Sequence, residues 1–587
     1  MGKISAGKDY KDLAQGFGVC TIAVIVLYLF SGMNAVNLRE MHIAILLAIL
    51  TACAAFYVAS AFVKSAKRFI ALAAAITAFG IYFLVLRHSF DQAERETMAC
   101  LTIMESVMLW AGLGTILLAV TALLIGHKFE TKDAVTAVLC AGFVLRAVMV
   151  LFTPLNFNQH DVSNFTNEQA GYHDTYILFV YENFTLPAGD VRDLGQFYHP
   201  PLHYIISAIF LRLHNALPLK FAGDINGLKM LPLLWTSYLV LFVKKILEWF
   251  DIKGRALVIS LMIVVFCPQM IFLSIQVNND ALALMLFAAS FFLALCWHKK
   301  PEITTILLLA ISIGCAMMTK LSMGFVAFPV AWIFLAKLIK TAKESKSRNP
   351  KLKLGGLIKQ FCAFAAVVFP LGLWFPLKNL IGYGTPITYV FVIDSSAGQD
   401  VWMYSALQRF LLPSMEILRS PFLFEGHNFN DYNIPLALIK TALFDEREFT
   451  DPYLIRVGQA MLIMAFILVL MVTVCAVMHA CKRLKLKGKG ILDNPEYLAL
   501  WILAGSLLIS ECVFCFKHPV ACTQAFRYIA PVLIPAAVWS GSVMSDEKNK
   551  VFSKILMGGV IVFAILTVLF YGPFAQYSPP WEFLIRG

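Results

Sequence analysis

A chain of 587 residues that is 59% hydrophobic and only 14% charged, with mean hydropathy +0.75, lacks the surface of a soluble protein, which normally devotes about a quarter of its residues to Asp, Glu, Lys and Arg. Lipid must replace water over most of it. That leaves helices or closed barrels to pair the backbone, and the long unalternating apolar runs select helices. The net charge of +12 lies largely in short loops, so it reads as cytoplasmic anchoring rather than a nucleic-acid face.

Apolar runs long enough to span, or nearly so, fall at about 17–32, 41–63, 69–86, 101–126, 133–153, 229–245, 256–275, 280–297, 303–319, 323–340, 358–376, 456–479, 495–515, 526–541 and 555–572. The basic loops KSAKR at 64–68, KTAKESKSRNPKLK at 340–353 and KRLKLKGK at 482–489 belong in the cytoplasm. Parity is kept if one further apolar helix, 199–215, lies in the outer interface; it opens YHPPLHY and carries Arg212 and His214 near its end, as an amphipathic surface helix does. The expectation is an all-α polytopic bundle of about fifteen spans plus interfacial helices, N-terminus inside, C-terminus outside. Most of the 13 Cys lie within apolar runs, where a thiol behaves as a small hydrophobe.

This arrangement puts two long polar segments, 154–198 and 377–455, on the outer side, together with the VNND turn at 277–280 and FKHPVACTQ at 516–524. A transporter keeps its polar groups near mid-membrane on broken helices; polar chemistry gathered on one face suits an enzyme. The first outer segment holds two His-Asp pairs, His160-Asp161 and His173-Asp174. Asp161 sits about eight residues past the fifth run, near the membrane surface, where a carboxylate can take the proton of an acceptor hydroxyl. His and Asp also ligate metals, so a divalent cation, Mg or Mn, is the cofactor these groups could take, with Asp161 and Asp280 as ligands. His199 and His203 flank the two prolines that open the interfacial helix, and could bind acceptor or donor. Lys320 and Arg527 stand at the edges of apolar runs, where a cation is costly unless it snorkels or meets an anion; a lipid-linked phosphate is such an anion, and the planar guanidinium matches its oxygens. Tyr528 is an interfacial aromatic beside it. In the second outer segment, EGHNFNDYN (425–433) and FDEREF (444–449) stand out, with His427 and Asp431 as candidates for sugar or acceptor recognition.

The run of QHD at 159–161, interfacial aromatics and FYHPPLHY at 197–204 resembles the GT-C membrane glycosyltransferases, in particular the branch of protein O-mannosyltransferases and lipid A aminoarabinose transferases. The turn CPQMIFLSIQVNNDALA (267–283) resembles the outer turn that carries a second acidic motif in related oligosaccharyltransferases, with Asp280 in the acidic place. The resemblance covers about 133–541. It implies that Asp161 lies at the catalytic centre and that Lys320 and Arg527-Tyr528 stand near the lipid phosphate. Where the family often has DE or DD this chain has HD; a second carboxylate would then come from Glu168 or Asp174.

The sequence thus points to transfer of a sugar from a polyprenyl-phosphate donor to an acceptor on the outer face of a plasma membrane, bacterial by expectation, with membrane lipids as further partners and no nucleic acid. The alternatives are a polytopic transporter or lipid flippase and a non-catalytic membrane scaffold. The expected divisions are a four-span extension at 1–130, a catalytic core at 131–376, the second outer loop at 377–455 and C-terminal spans at 456–587.

Overall fold

The computed structural model describes residues 6–31, 131–152, 160, 172–216, 226–344, 354–391, 398–425, 428–429, 431–485 and 492–571. Apart from a small hairpin that pairs Phe424–Glu425 with Asn428–Phe429, the regular elements among these residues are helices. Among the described residues seven helices are long and apolar enough to cross a membrane, or eight if the bent pair Ala521–Tyr528 and Ala530–Met544 counts as one span. The expected fifteen are not confirmed; three of them, at 41–63, 69–86 and 101–126, lie outside the described residues, as does most of the 1–130 extension.

Its first helix is described. Helix α1 (Ala6–Ser31) packs along α5 (Met230–Trp249): the Thr21 hydroxyl and Tyr238 hydroxyl are 2.6 Å apart, Phe17 lies on the Tyr238 ring, and Lys245 meets Asp12 at 3.1 Å. Between them in the chain come α2 (Thr131–Phe152), the short α3 (His173–Asn183) and α4 (Leu202–Ala216). Helix α4 buries His203, Tyr204, Ser207, Ala208, Leu211 and His214 and leaves Ile209 and Leu213 exposed.

The run at 256–275, expected as one span, is instead broken. Helix α6 (Gly254–Val265) stops and α7 (Pro268–Leu273) begins at Pro268. A proline lacks the N–H of a continuing helix and pushes its predecessor into extended backbone; Cys267 is extended, with φ −66 and ψ 121. The chain then makes a wholly buried polar turn, in which Ser274, Gln276, Asn278 and Asn279 are all inside, before α8 (Asp280–Lys299). Buried polar groups require partners: Asn278 Oδ1 accepts from the Asp280 amide at 3.0 Å and Asn279 Nδ2 donates to the Thr319 carbonyl at 3.0 Å.

That last bond closes the hairpin of α8 with α9 (Ile303–Thr319), so the start of α8 and the end of α9 lie together. After α10 (Ala327–Glu344), α11 (Leu354–Tyr383) packs closely on α9. A Cβ on Gly314 would meet Leu371 Cδ2 at 2.8 Å, and one on Gly372 would meet Met317 Sδ at 2.9 Å. Small residues let helices approach where lipid supplies no hydrophobic drive. The second long loop follows, with short helices α12 (Ala406–Leu411) and α13 (Met415–Arg419) and a largely buried α14 (Ile434–Phe444). Helices α15 (Pro452–Lys485), α16 (Pro495–Lys517), α17 (Leu533–Met544) and α18 (Lys550–Tyr571) complete the bundle.

Candidate active site

Charged side chains from distant parts of the chain meet at one end of the bundle. His160 is buried, with Nε2 2.9 Å from Asp445 Oδ2 and Nδ1 3.4 Å from Glu446 Oε2. Asp445 Oδ2 also accepts from Gln276 Nε2 at 2.5 Å. Burial and the nearby Arg527 pull the imidazole toward neutrality, but the two carboxylates outweigh them and hold its pKa up at about 10. His160 is therefore a cation at neutral pH.

Asp445 gets there by a sharp exit from α14. Its amide closes the helix on the Thr441 carbonyl at 3.0 Å, and its own φ of 55 is a left-handed value that a side chain bearing Cβ adopts at a cost. The same helix holds the 526–528 turn, because the Phe526 amide donates to Thr441 Oγ1 at 2.9 Å. Arg527 and Glu446 are thereby brought to 3.7 Å, and Arg527 Nη2 reaches the Tyr528 hydroxyl at 3.1 Å. Lys320, released by the end of α9, pairs with Asp280 and lies 4.8 Å from the centre of the Tyr528 ring. Glu511, buried on α16, is near enough to Lys320 and Arg527 to feel both charges.

A layer of neutral imidazoles lines this charged floor. His173 Nδ1 is 2.7 Å from the Tyr204 hydroxyl, and its ring stacks on His199 at 5.4 Å. Burial depresses the basicity of all three histidines, and His203 is brought down to about 4. For His173 the neighbouring His199 adds to burial, and for His199 the charges of Lys320 and Arg527 do. They accept or donate hydrogen bonds without adding charge.

The residues singled out from the sequence divide accordingly. His160, His173, His199, His203, Asp280, Lys320, Arg527 and Tyr528 fall in one neighbourhood. Asp174 is fully buried in the first turn of α3, where a carboxylate suits the helix dipole. Asp431 sits apart: it pairs with Lys440 inside the second loop, and burial, against the pull of Lys440, raises its pKa to about 6. Because Lys440 also donates to the carbonyls of Ile417 at 2.6 Å and Phe422 at 3.2 Å, this pair staples the loop. Asp161, His427 and Glu168 lie outside the described residues. Asp445, Glu446 and Gln276 were not singled out individually, although the first two belong to the acidic stretch FDEREF.

One metal-ligand grouping occurs among the described residues. Donor atoms of His160, Asp445 and Glu446 all lie within 4.8 Å of one another, a mixed nitrogen and oxygen set that divalent first-row ions accept. Its charge is already balanced by the imidazolium and Arg527. Asp280, expected as a ligand, has its carboxylate on the Lys320 ammonium, a poor neighbour for a cation.

Residues 198–374 match the family described as dolichyl-phosphate-mannose-protein mannosyltransferase. That stretch supplies His199, His203, Asp280 and Lys320 to the site. The match supports the resemblance to GT-C membrane glycosyltransferases drawn from the motifs. Among solved structures, the oligosaccharyltransferase of Archaeoglobus fulgidus in its apo form is similar at 14% identity with a TM-score of 0.39, over 75% of this chain and 56% of that one; this chain thus spans little more than half the length of that relative. No curated protein matches the chain.

Proposed function

We propose that the protein is a GT-C type membrane glycosyltransferase that moves a sugar from a polyprenyl-phosphate donor to a hydroxyl-bearing acceptor at the outer face of the membrane. The observation that carries this reading is the segment matched to the mannosyltransferase family, which delivers its His, Asp and Lys residues into the same buried cluster as Arg527. Arg527 and Lys320 would take the donor phosphate, with Tyr528 packed beside them. Charge that develops on the leaving phosphate is stabilised most by cations already in place in a site of low dielectric. The acceptor oxygen attacks the anomeric carbon, the bond from that carbon to the phosphate oxygen breaks, and Asp161 takes the acceptor proton. A single displacement of this kind inverts the anomeric centre.

His160, which precedes the base, would be held by Asp445 and Glu446, while His173, His199 and His203 would face the sugar or acceptor. Gathered at one end of the bundle, the charges fit surface chemistry better than a mid-membrane transport route. The test is transfer of radiolabelled sugar from a panel of polyprenyl-phosphate sugars by the protein purified in its native lipid extract. Wild type should transfer label, and Asp161→Asn should lose at least about 100-fold, the lower part of the range for a positioned base. Full transfer by the variant would take Asp161 out of that role.

A further inference from the structure

The donor phosphate leaves one question about the cluster: why a carboxylate should stand beside the arginine that is to hold an anion. Glu446 Oε2 faces His160 at 3.4 Å. Its other oxygen, Oε1, is buried and has no hydrogen-bond partner, and neither has Arg527 Nε. The closest approach between the two groups is 3.7 Å, from Nη2 to Oε1, beyond hydrogen-bonding distance. Side-chain exposure is only 7% for Arg527 and 14% for Glu446, so water satisfies neither group well.

An unsatisfied buried donor and an unsatisfied buried acceptor side by side are costly in the free protein. They suit a ligand that presents an acceptor oxygen and a hydroxyl donor within a few atoms of each other. A sugar 1-phosphate ester is such a ligand, since its ring hydroxyls lie close to the phosphate oxygens. The neighbouring acid is more committed, since Asp445 Oδ2 is already shared by His160 and Gln276, whereas Glu446 Oε1 is the carboxylate oxygen that approaches Arg527.

We propose, on the strength of the glycosyltransferase reading, that Arg527 and Glu446 form a two-point subsite for the donor head group. Arg527 Nε donates to a phosphate oxygen, and Glu446 Oε1 accepts a hydrogen bond from one ring hydroxyl of the sugar being transferred. Glu446 is then a specificity-determining residue: it selects sugars that carry that hydroxyl and rejects those that lack it, since the loss leaves a buried carboxylate unpaired.

The experiment is a cycle of transfer kinetics. Wild type, Glu446→Ala and the isosteric Glu446→Gln are assayed with the complete polyprenyl-phosphate sugar and with donors in which each ring hydroxyl is removed in turn. Glu446→Ala should lower kcat/KM for the complete donor by about 10- to 100-fold, the usual range for a hydrogen bond to a charged group. One deoxy donor should cost wild type a similar factor, and on that donor Glu446→Ala should lose little more. If Glu446→Ala fails to fold, the same cycle is read on Glu446→Gln, with a smaller factor. Losses that multiply on every deoxy donor, or unchanged kinetics in both variants, would overturn the subsite while leaving the enzyme class standing. A wild type that transfers from no donor would overturn that class and the subsite with it.

Discussion

His160 lies between two carboxylates, and the sign of its titration has a consequence for stability. Its folded pKa of about 10 stands above the ordinary 6.5, so the stabilisation from its charged form is complete below 6.5 and is lost as pH rises through about 10. His203 works the other way. Its folded value of about 4 stands below 6.5, so the unfolded chain takes up the proton first and stability falls as pH drops from 6.5 toward 4. Melting in one detergent across pH should therefore show both limbs, and His160→Gln should flatten the alkaline one; an alkaline limb unchanged in that variant would contradict the assignment. Much at this scale was legible in the sequence. Lys320 and Arg527 stand out because charge at the edge of an apolar run demands a reason, and Asp280 because its turn resembles one that carries an acidic motif. The partnership of His160 with Asp445 does not, since the two are 285 positions apart and only the exit from α14 aims the second at the first.

At the scale of elements, positions were easier to read than continuity. Most expected runs coincide with helices, because an apolar stretch of that length has few other ways to satisfy its backbone. The run at 256–275 misled for the same reason: hydropathy passes smoothly through Phe266, Cys267 and Pro268, while the backbone breaks at the proline. The break is useful, for it frees the 274–279 turn to place Gln276 against Asp445 and Asp280 against Lys320. The fit of α9 against α11 is a second element-scale feature invisible to hydropathy. Gly314→Leu should clash with Leu371, already at 2.8 Å from an added Cβ, and destabilise the protein by about 1–3 kcal/mol as overpacked cores do. Gly355→Ala, at a position with open space around it, should melt close to wild type. A Gly314→Leu protein that melts like wild type would mean that the two helices are not packed this closely.

Across the whole molecule the charged groups of the site belong to one end of the bundle, although the chain visits that end many times. The loop after α2, the 199–204 segment, the α8–α9 hairpin, the exit of α14 and the 526–528 turn each deliver a side chain. Sequence reading found most of these places by asking which segments share a side of the membrane. Its count of spans is not confirmed, because an apolar run can form a helix shorter than a typical crossing one: α6 and α9 have 12 and 17 residues. The central claim is that Arg527 binds the donor while Asp161 drives its reaction. The direct test is equilibrium binding of a polyprenyl-phosphate sugar to wild type, Asp161→Asn and Arg527→Gln, beside transfer rates for the same three proteins. The account predicts that Asp161→Asn binds donor like wild type but does not turn it over, and that Arg527→Gln binds at least about 10-fold more weakly, as loss of a charge-assisted contact requires. Undiminished binding by Arg527→Gln would contradict it.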